Sequence, residues 1–146
     1  MLNKSIKSLI EDTHDEVAIL ANSAALLYEL LPDVNWVGFY LFKNNKLILG
    51  PFQGKPACVD IEIGKGACGT AAKTLKPVIL KDVNKIDNYI ACHPETNSEI
   101  VLPMTLNGNL YGVLDIDSTT IGRFTLEDQK LLTESVDIIT KKLLSI

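Results

Sequence analysis

The stretch SEIVLPMTLNGNLYGVLDIDS, residues 98–118, narrows the possible folds more than any other part of the chain. Two runs rich in large apolar and β-branched residues flank Asn107-Gly108, the pattern of an antiparallel hairpin. Successive strand side chains alternate between faces, so the choice of loop sorts every residue to one side or the other. A two-residue loop at Asn107-Gly108 sets Ile100 against Asp115 and Glu99 against Ile116, which mixes charge and core on both faces. A three-residue loop, Asn107 to Asn109, gathers Ile100, Leu102, Met104, Leu106, Leu110, Leu114 and Ile116 on one face. Glu99, Val101, Tyr111, Val113, Asp115 and Asp117 then share the other. The pattern predicts this second register. It places Glu99 opposite Asp117, with Asp115 one step along. Like charges so arranged destabilise a sheet unless a cation or a proton sits among them. The three carboxylates are therefore candidate site residues, and the bland alternative is a solvated, exposed face.

The remaining segments supply helices at both ends and more antiparallel strands. THDEVAILANSAALLYELLP predicts a helix that opens on a capping box, Thr13 with Glu16, and stops at Pro32. NWVGFYLF and KLILG, split by Asn44-Asn45, read as a further hairpin. ACVDIEI alternates Val59, Ile61 and Ile63 against Asp60 and Glu62, a half-solvated strand leading to Gly64 and Gly66. ACGTAAKTLK fits a short helix, and FTLEDQKLLTESVDIITKKLL a final amphipathic one capped by Thr125 and Asp128. The class is α+β. With 146 residues and no repeat, linker or low-complexity tract, the expectation is one domain over residues 1–146.

Charge and apolar runs exclude several function classes. The formal net charge is −4 with scattered lysines and no basic run, so neither nucleic acid nor an anionic membrane is an expected partner. Small molecules or proteins are. No apolar run approaches the roughly 20 residues of a membrane span. Acidic residues enter MLNKSIKSLIEDTHDEV too early for a signal peptide, so a cytoplasmic location is expected. In that reducing compartment the cysteines should be free thiols and any disulfide transient.

The three cysteines differ in setting. Cys68, between GKG and GTAA, falls in the first turn of the short helix, where the positive end of the dipole favours a thiolate. Cys92 lies beside His93, just upstream of the carboxylate strand. Both are candidate reactive thiols, and the environment alone favours Cys68 as nucleophile. Cys58 has neither setting and reads as structural or auxiliary; a free cysteine is otherwise a small buried hydrophobe. Cys58, Cys68, Cys92 and His93 form a formal zinc set but contain no C-x-x-C, so no metal is expected. GPFQGKP and GKGACGT lack the Gly-Lys-Ser/Thr ending of a phosphate loop. His93 is a packing residue or a tuner of Cys92.

NWVGFYLF, LGPFQGKPAC, IGKGACGTAA, YIAC, SEIVLP and GVLDIDS together resemble the free methionine-R-sulfoxide reductases, stand-alone GAF-domain enzymes. The likeness runs in order from Trp36 to Phe124 and into the final helix. It implies a GAF-like fold, a central antiparallel sheet with the N- and C-terminal helices on one face and the ligand pocket on the other. Residue by residue, it implies Cys92 as the catalytic thiol, Cys68 as the principal resolving thiol and Cys58 as a third that joins recycling. It implies Glu99, Asp115 and Asp117 as acidic pocket residues and Trp36 and Tyr40 as pocket aromatics. The chain departs from the family at His93-Pro94, where an acidic residue usually follows the catalytic cysteine, and at IDNY, where an FPGH-like segment is usual.

The implied reaction suits these residue types. A thiolate displaces a sulfoxide oxygen only when an acid protonates it, and crowded carboxylates keep a proton near neutrality. The expected cycle runs from a Cys92 sulfenic acid to a Cys68–Cys92 disulfide. Thioredoxin and NADPH serve as the external reducing system, with no bound cofactor. The expected substrate is free methionine R-sulfoxide, and the resemblance implies a homodimer. Two other readings of a GAF domain are a small-molecule sensor and a thiol-based redox sensor, and the expectation of a single domain weighs against both, since a signalling module needs an output domain.

Overall fold

Asn44 and Asn45, at φ 54° and 63°, fold one edge of the sheet into a tight hairpin, as seen in a computed structural model describing residues 1–146. This turn joins β1 (Trp36–Lys43) to β2 (Lys46–Gln53). Further along are β3 (Asp60–Glu62), β4 (Val78–Leu80), β5 (Ser98–Leu106) and β6 (Asn109–Ser118). The sheet has the order β3-β2-β1-β6-β5-β4, and every pairing is antiparallel. Pro51, which has no N–H to give a ladder, sits where the β1–β2 register shifts between Gly38 and Tyr40.

Helices cover one face. α1 (Leu2–Ile10) was not anticipated from the sequence; α2 (Glu16–Leu30) and the C-terminal helix were. Ile6, Ile19, Leu20 and Leu27 pack with Val37, Phe39, Ile100, Leu102, Met104, Leu114 and Ile116 of the sheet, and Leu132, Val136 and Ile139 close the layer. Burying each such side chain is worth roughly 1.5–3 kcal/mol, so this layer is the main stabilising element. α2 is capped by Asp15, which accepts from the Ala18 N–H at 3.0 Å, rather than by the Thr13–Glu16 box. The helix starts too late for Thr13 to reach its free N–H groups. α3 (Gly66–Thr74) packs on the opposite face, and α4 (Leu126–Ser145) carries the expected Thr125–Asp128 capping box. No helix is long and apolar enough to cross a membrane.

The second hairpin reaches the predicted register by a different route. Glu99 faces Asp117, Ile100 faces Ile116 and Val101 faces Asp115. The loop nonetheless has two residues, Asn107 and Gly108 at φ 53° and 80°, because that turn matches the twist of the strands. A shift between Met104 and Thr105 restores the register by leaving Tyr111 outside the pairing. Leu110 and Tyr111 therefore exchange the expected faces: Tyr111 packs toward the helices and Leu110 toward α3. Only Asp60 to Glu62 of ACVDIEI pair as a strand, and Val59 is exposed.

Candidate active site

The strand registers assemble the site. Trp36 pairs with Asp117, Gly38 with Asp115 and Tyr40 with Val113 across β1 and β6, while Glu99 pairs with Asp117 across β5 and β6. Period-two alternation then puts Trp36, Tyr40, Glu99, Asp115 and Asp117 on the face away from α1, α2 and α4. α3 lies over this face and brings Cys68, in its first turn, to 4.0 Å from Glu99, Sγ to Oε2. Gly66 and the long segment between the 3-10 turn Val83–Lys85 and β5 complete the wall of a narrow cavity. Tyr40, Cys68, Tyr89, Cys92, His93 and the three carboxylates all line it. Its free volume is about 20 Å³, room for about one water and not for an amino acid.

The carboxylates are buried, not solvated: Glu99, Asp115 and Asp117 are 6%, 5% and 3% exposed. Burial pushes Glu99 well above the usual carboxylate range, and the Asp115 and Asp117 charges add to it. Burial likewise pushes Asp117 well up, with Asp115 raising it further. Asp115 is raised less: burial lifts it while hydrogen bonds from Glu99 and Cys68 pull it down. The cluster therefore retains protons when a solvated carboxylate would have lost them. One oxygen of Asp115 and one of Asp117 have no hydrogen-bond partner. Unpaired buried acceptors of this kind are costly and suit a cationic or proton-donating ligand. Cys68, Glu99 and Asp115 each offer a ligand atom within 4.8 Å of the others, a grouping compact enough for a metal ion.

The thiols are arranged otherwise than expected. Cys92 is bonded to Cys58, with Cα atoms 5.4 Å apart, and Cys68 is the free, buried thiol. The expected Cys68–Cys92 pairing is replaced because the 54–59 segment, folded across the sheet end, brings Cys58 within bonding reach of Cys92. Two site aromatics hold that segment: the Trp36 indole N–H donates to the Lys55 carbonyl at 2.9 Å and the Tyr40 hydroxyl to the Cys58 carbonyl at 3.0 Å. Nor is Cys68 an activated thiolate. Burial and the charges of Asp115, Glu99 and Asp117 raise it well above an ordinary thiol, outweighing the helix N-terminus.

Trp36 does not line the cavity. It stands behind it, stacked on Phe52 and Tyr40 with ring centroids at 5.2 and 6.0 Å, and His93 rests against it at 5.6 Å. Tyr89 and Ile90, which also line the cavity, were not singled out from the sequence; the only signal was an aromatic residue in the unusual IDNY segment. Ile90 presses on Gly66, where a Cβ would meet its Cγ1 at 3.1 Å and the φ of +62° favours glycine.

A GAF domain model matches residues 7–142 of the chain. The Escherichia coli protein named free methionine-R-sulfoxide reductase is 49% identical over 142 residues, 97% of this chain and 86% of that one. Its Saccharomyces cerevisiae namesake is 43% identical over 145 residues, 94% and 81% of the two chains. Among solved structures, that of fRMsr of Staphylococcus aureus in complex with substrate superposes with a TM-score of 0.93 at 48% identity, covering 97% of this chain and 93% of that one.

Proposed function

The chain belongs to the GAF domain family and, within it, to the free methionine-R-sulfoxide reductases, and we propose that it reduces free methionine R-sulfoxide with Cys92 as nucleophile. The observation that carries this reading is the placement of Cys92, in a disulfide, on the same cavity as three buried carboxylates. The Cys92 thiolate attacks the sulfoxide sulfur while a protonated carboxylate delivers its proton to the oxygen. Oxygen passes to Cys92, which becomes a sulfenic acid, and methionine leaves. The Cys58 thiol then attacks the sulfenic sulfur, releasing water and forming the Cys58–Cys92 bond. An external dithiol, thioredoxin in this proposal, reduces that bond by exchange and is itself oxidised.

Buried acids explain the choice of a free amino acid. Charged members of the cluster receive the substrate ammonium, and a peptide-bound sulfoxide would leave them unpaired at a cost of about 1–3 kcal/mol or more. Tyr40 encloses the thioether carbons, and Trp36 supports Tyr40 from behind. Cys68, protonated and beside Glu99, is a donor to the cluster.

NADPH consumption through thioredoxin and thioredoxin reductase tests the reading, with free R-sulfoxide, free S-sulfoxide and a blocked, peptide-like sulfoxide as substrates. Turnover of the free R form alone, lost in Cys92→Ser, is the expected result. A folded, reduced protein that turns over none of them refutes the proposal.

A further inference from the structure

Cys68 takes no part in the disulfide, and its thiol is buried beside carboxylates that form no salt bridge. We propose that Cys68, Glu99 and Asp115, with Asp117 beside them, form a binding site for one divalent cation of the zinc class.

Three elements meet to make the donor set. Cys68 comes from the first turn of α3, Glu99 from β5 and Asp115 from β6, where Asp117 follows on the same face and stands opposite Glu99. One ligand atom from each of Cys68, Glu99 and Asp115 lies within 4.8 Å of the others, and the Cys68 Sγ is 4.0 Å from Glu99 Oε2. Zinc bonds sulfur at about 2.3 Å and carboxylate oxygen at about 2.0–2.2 Å, so one ion bridges a sulfur and an oxygen up to about 4.4 Å apart. Small side-chain rotations bring the third donor in.

A separate observation points to a ligand. Asp115 Oδ1 and Asp117 Oδ1 meet no hydrogen-bond donor, although these residues are 5% and 3% exposed and both line the cavity. Buried acceptors left this way cost free energy that a cation recovers. The free volume of about 20 Å³ is too small for an amino acid and enough for a single ion. Lys65 and Ile90 on the lining are exposed, so the cavity reaches the surface and an ion can enter.

The donor chemistry selects the metal. A thiolate favours zinc and its neighbours over magnesium and calcium, which take oxygen ligands. On binding, the Cys68 thiol proton and any carboxylate proton leave to solvent, and no electron is transferred. The set shares only Cys68 with the Cys58, Cys68, Cys92 and His93 combination that lacked a metal-site spacing. Under the functional reading above, a bound ion covers the acids of the reaction, which makes the site inhibitory.

The disulfide form isolates the site, because Cys68 is then the free thiol. Titrating that form with cobalt(II), a spectroscopic stand-in for zinc, should saturate at one ion per chain with the near-ultraviolet absorption of thiolate-to-cobalt charge transfer. Zinc should displace the cobalt, and magnesium should not. Cys68→Ser should abolish the band, while Asp115→Asn and Glu99→Gln should each weaken binding by about tenfold or more, at least the loss that removal of an outer-shell partner brings. Absence of the band in oxidised wild type overturns the proposal without any substitution, and so does an affinity unchanged in both carboxylate variants. The titration uses neither substrate nor reductant, so its failure leaves the functional reading standing, and failure of that reading leaves the ion site standing.

Discussion

Glu99 stands directly opposite Asp117 across the β5–β6 ladder, and both side chains are buried with no cationic side chain hydrogen-bonded between them. Raised carboxylates fold with protons that the unfolded chain releases, so between the unfolded and folded values the native state binds more protons. Stability is thus fully present below the ordinary carboxylate range and falls as pH rises from there toward the raised folded values. Thermal melts of the ligand-free protein should show a lower Tm at pH 8 than at pH 5, values chosen on either side of about neutrality. Glu99→Gln should flatten this slope and raise Tm at the alkaline end, while lowering kcat/KM by about a hundredfold or more through loss of an acid. A pH-independent Tm in wild type would contradict the raised values.

The bond between Cys58 and Cys92 assigns different consequences to the three thiols. Cys92→Ser should abolish turnover. Cys58→Ser should release about one equivalent of methionine per protein in the absence of reductant and leave a sulfenic acid that dimedone captures. Cys68→Ser should still form the disulfide after one turnover, readable by thiol counting. Loss of disulfide formation in Cys68→Ser but not in Cys58→Ser would restore the pairing expected from the sequence.

A cavity of about 20 Å³ does not admit an amino acid, so the disulfide form should be unable to bind substrate or product. Calorimetry with free methionine should show binding to the Cys92→Ser protein and none to the oxidised wild type. Comparable heats for both would show that the segment carrying Tyr89 and Ile90 opens without cleavage of the disulfide.

A Cβ at Gly38 would collide with the Trp36 ring and the Phe52 Cβ. Gly38→Ala should cost about 1–3 kcal/mol by overpacking, measured by urea denaturation. It should also raise KM, because the displaced indole no longer supports Tyr40 or His93. A variant of wild-type stability and KM would show that the stack yields without consequence.

Local pattern determined a great deal. Alternation in residues 98–118 was enough to put Glu99, Asp115 and Asp117 on one face, since the register of an unbulged two-residue loop mixed charge with core. The α2 and α4 helices, the Thr125 cap and the Asn44-Asn45 turn were likewise legible, because each depends on residues a few positions apart. The tight turn with a compensating bulge at Tyr111 was not, since alternation constrains which residues face each other and not how the loop achieves it. Tertiary structure alone decided which cysteine meets Cys92 and in what state Cys68 exists. Bonding requires two Cα atoms to approach, here to 5.4 Å across 34 residues, and no local pattern encodes that distance. The ionisation of Cys68 depends on burial beside carboxylates from β5 and β6, which outweighs the helix dipole that the sequence reveals.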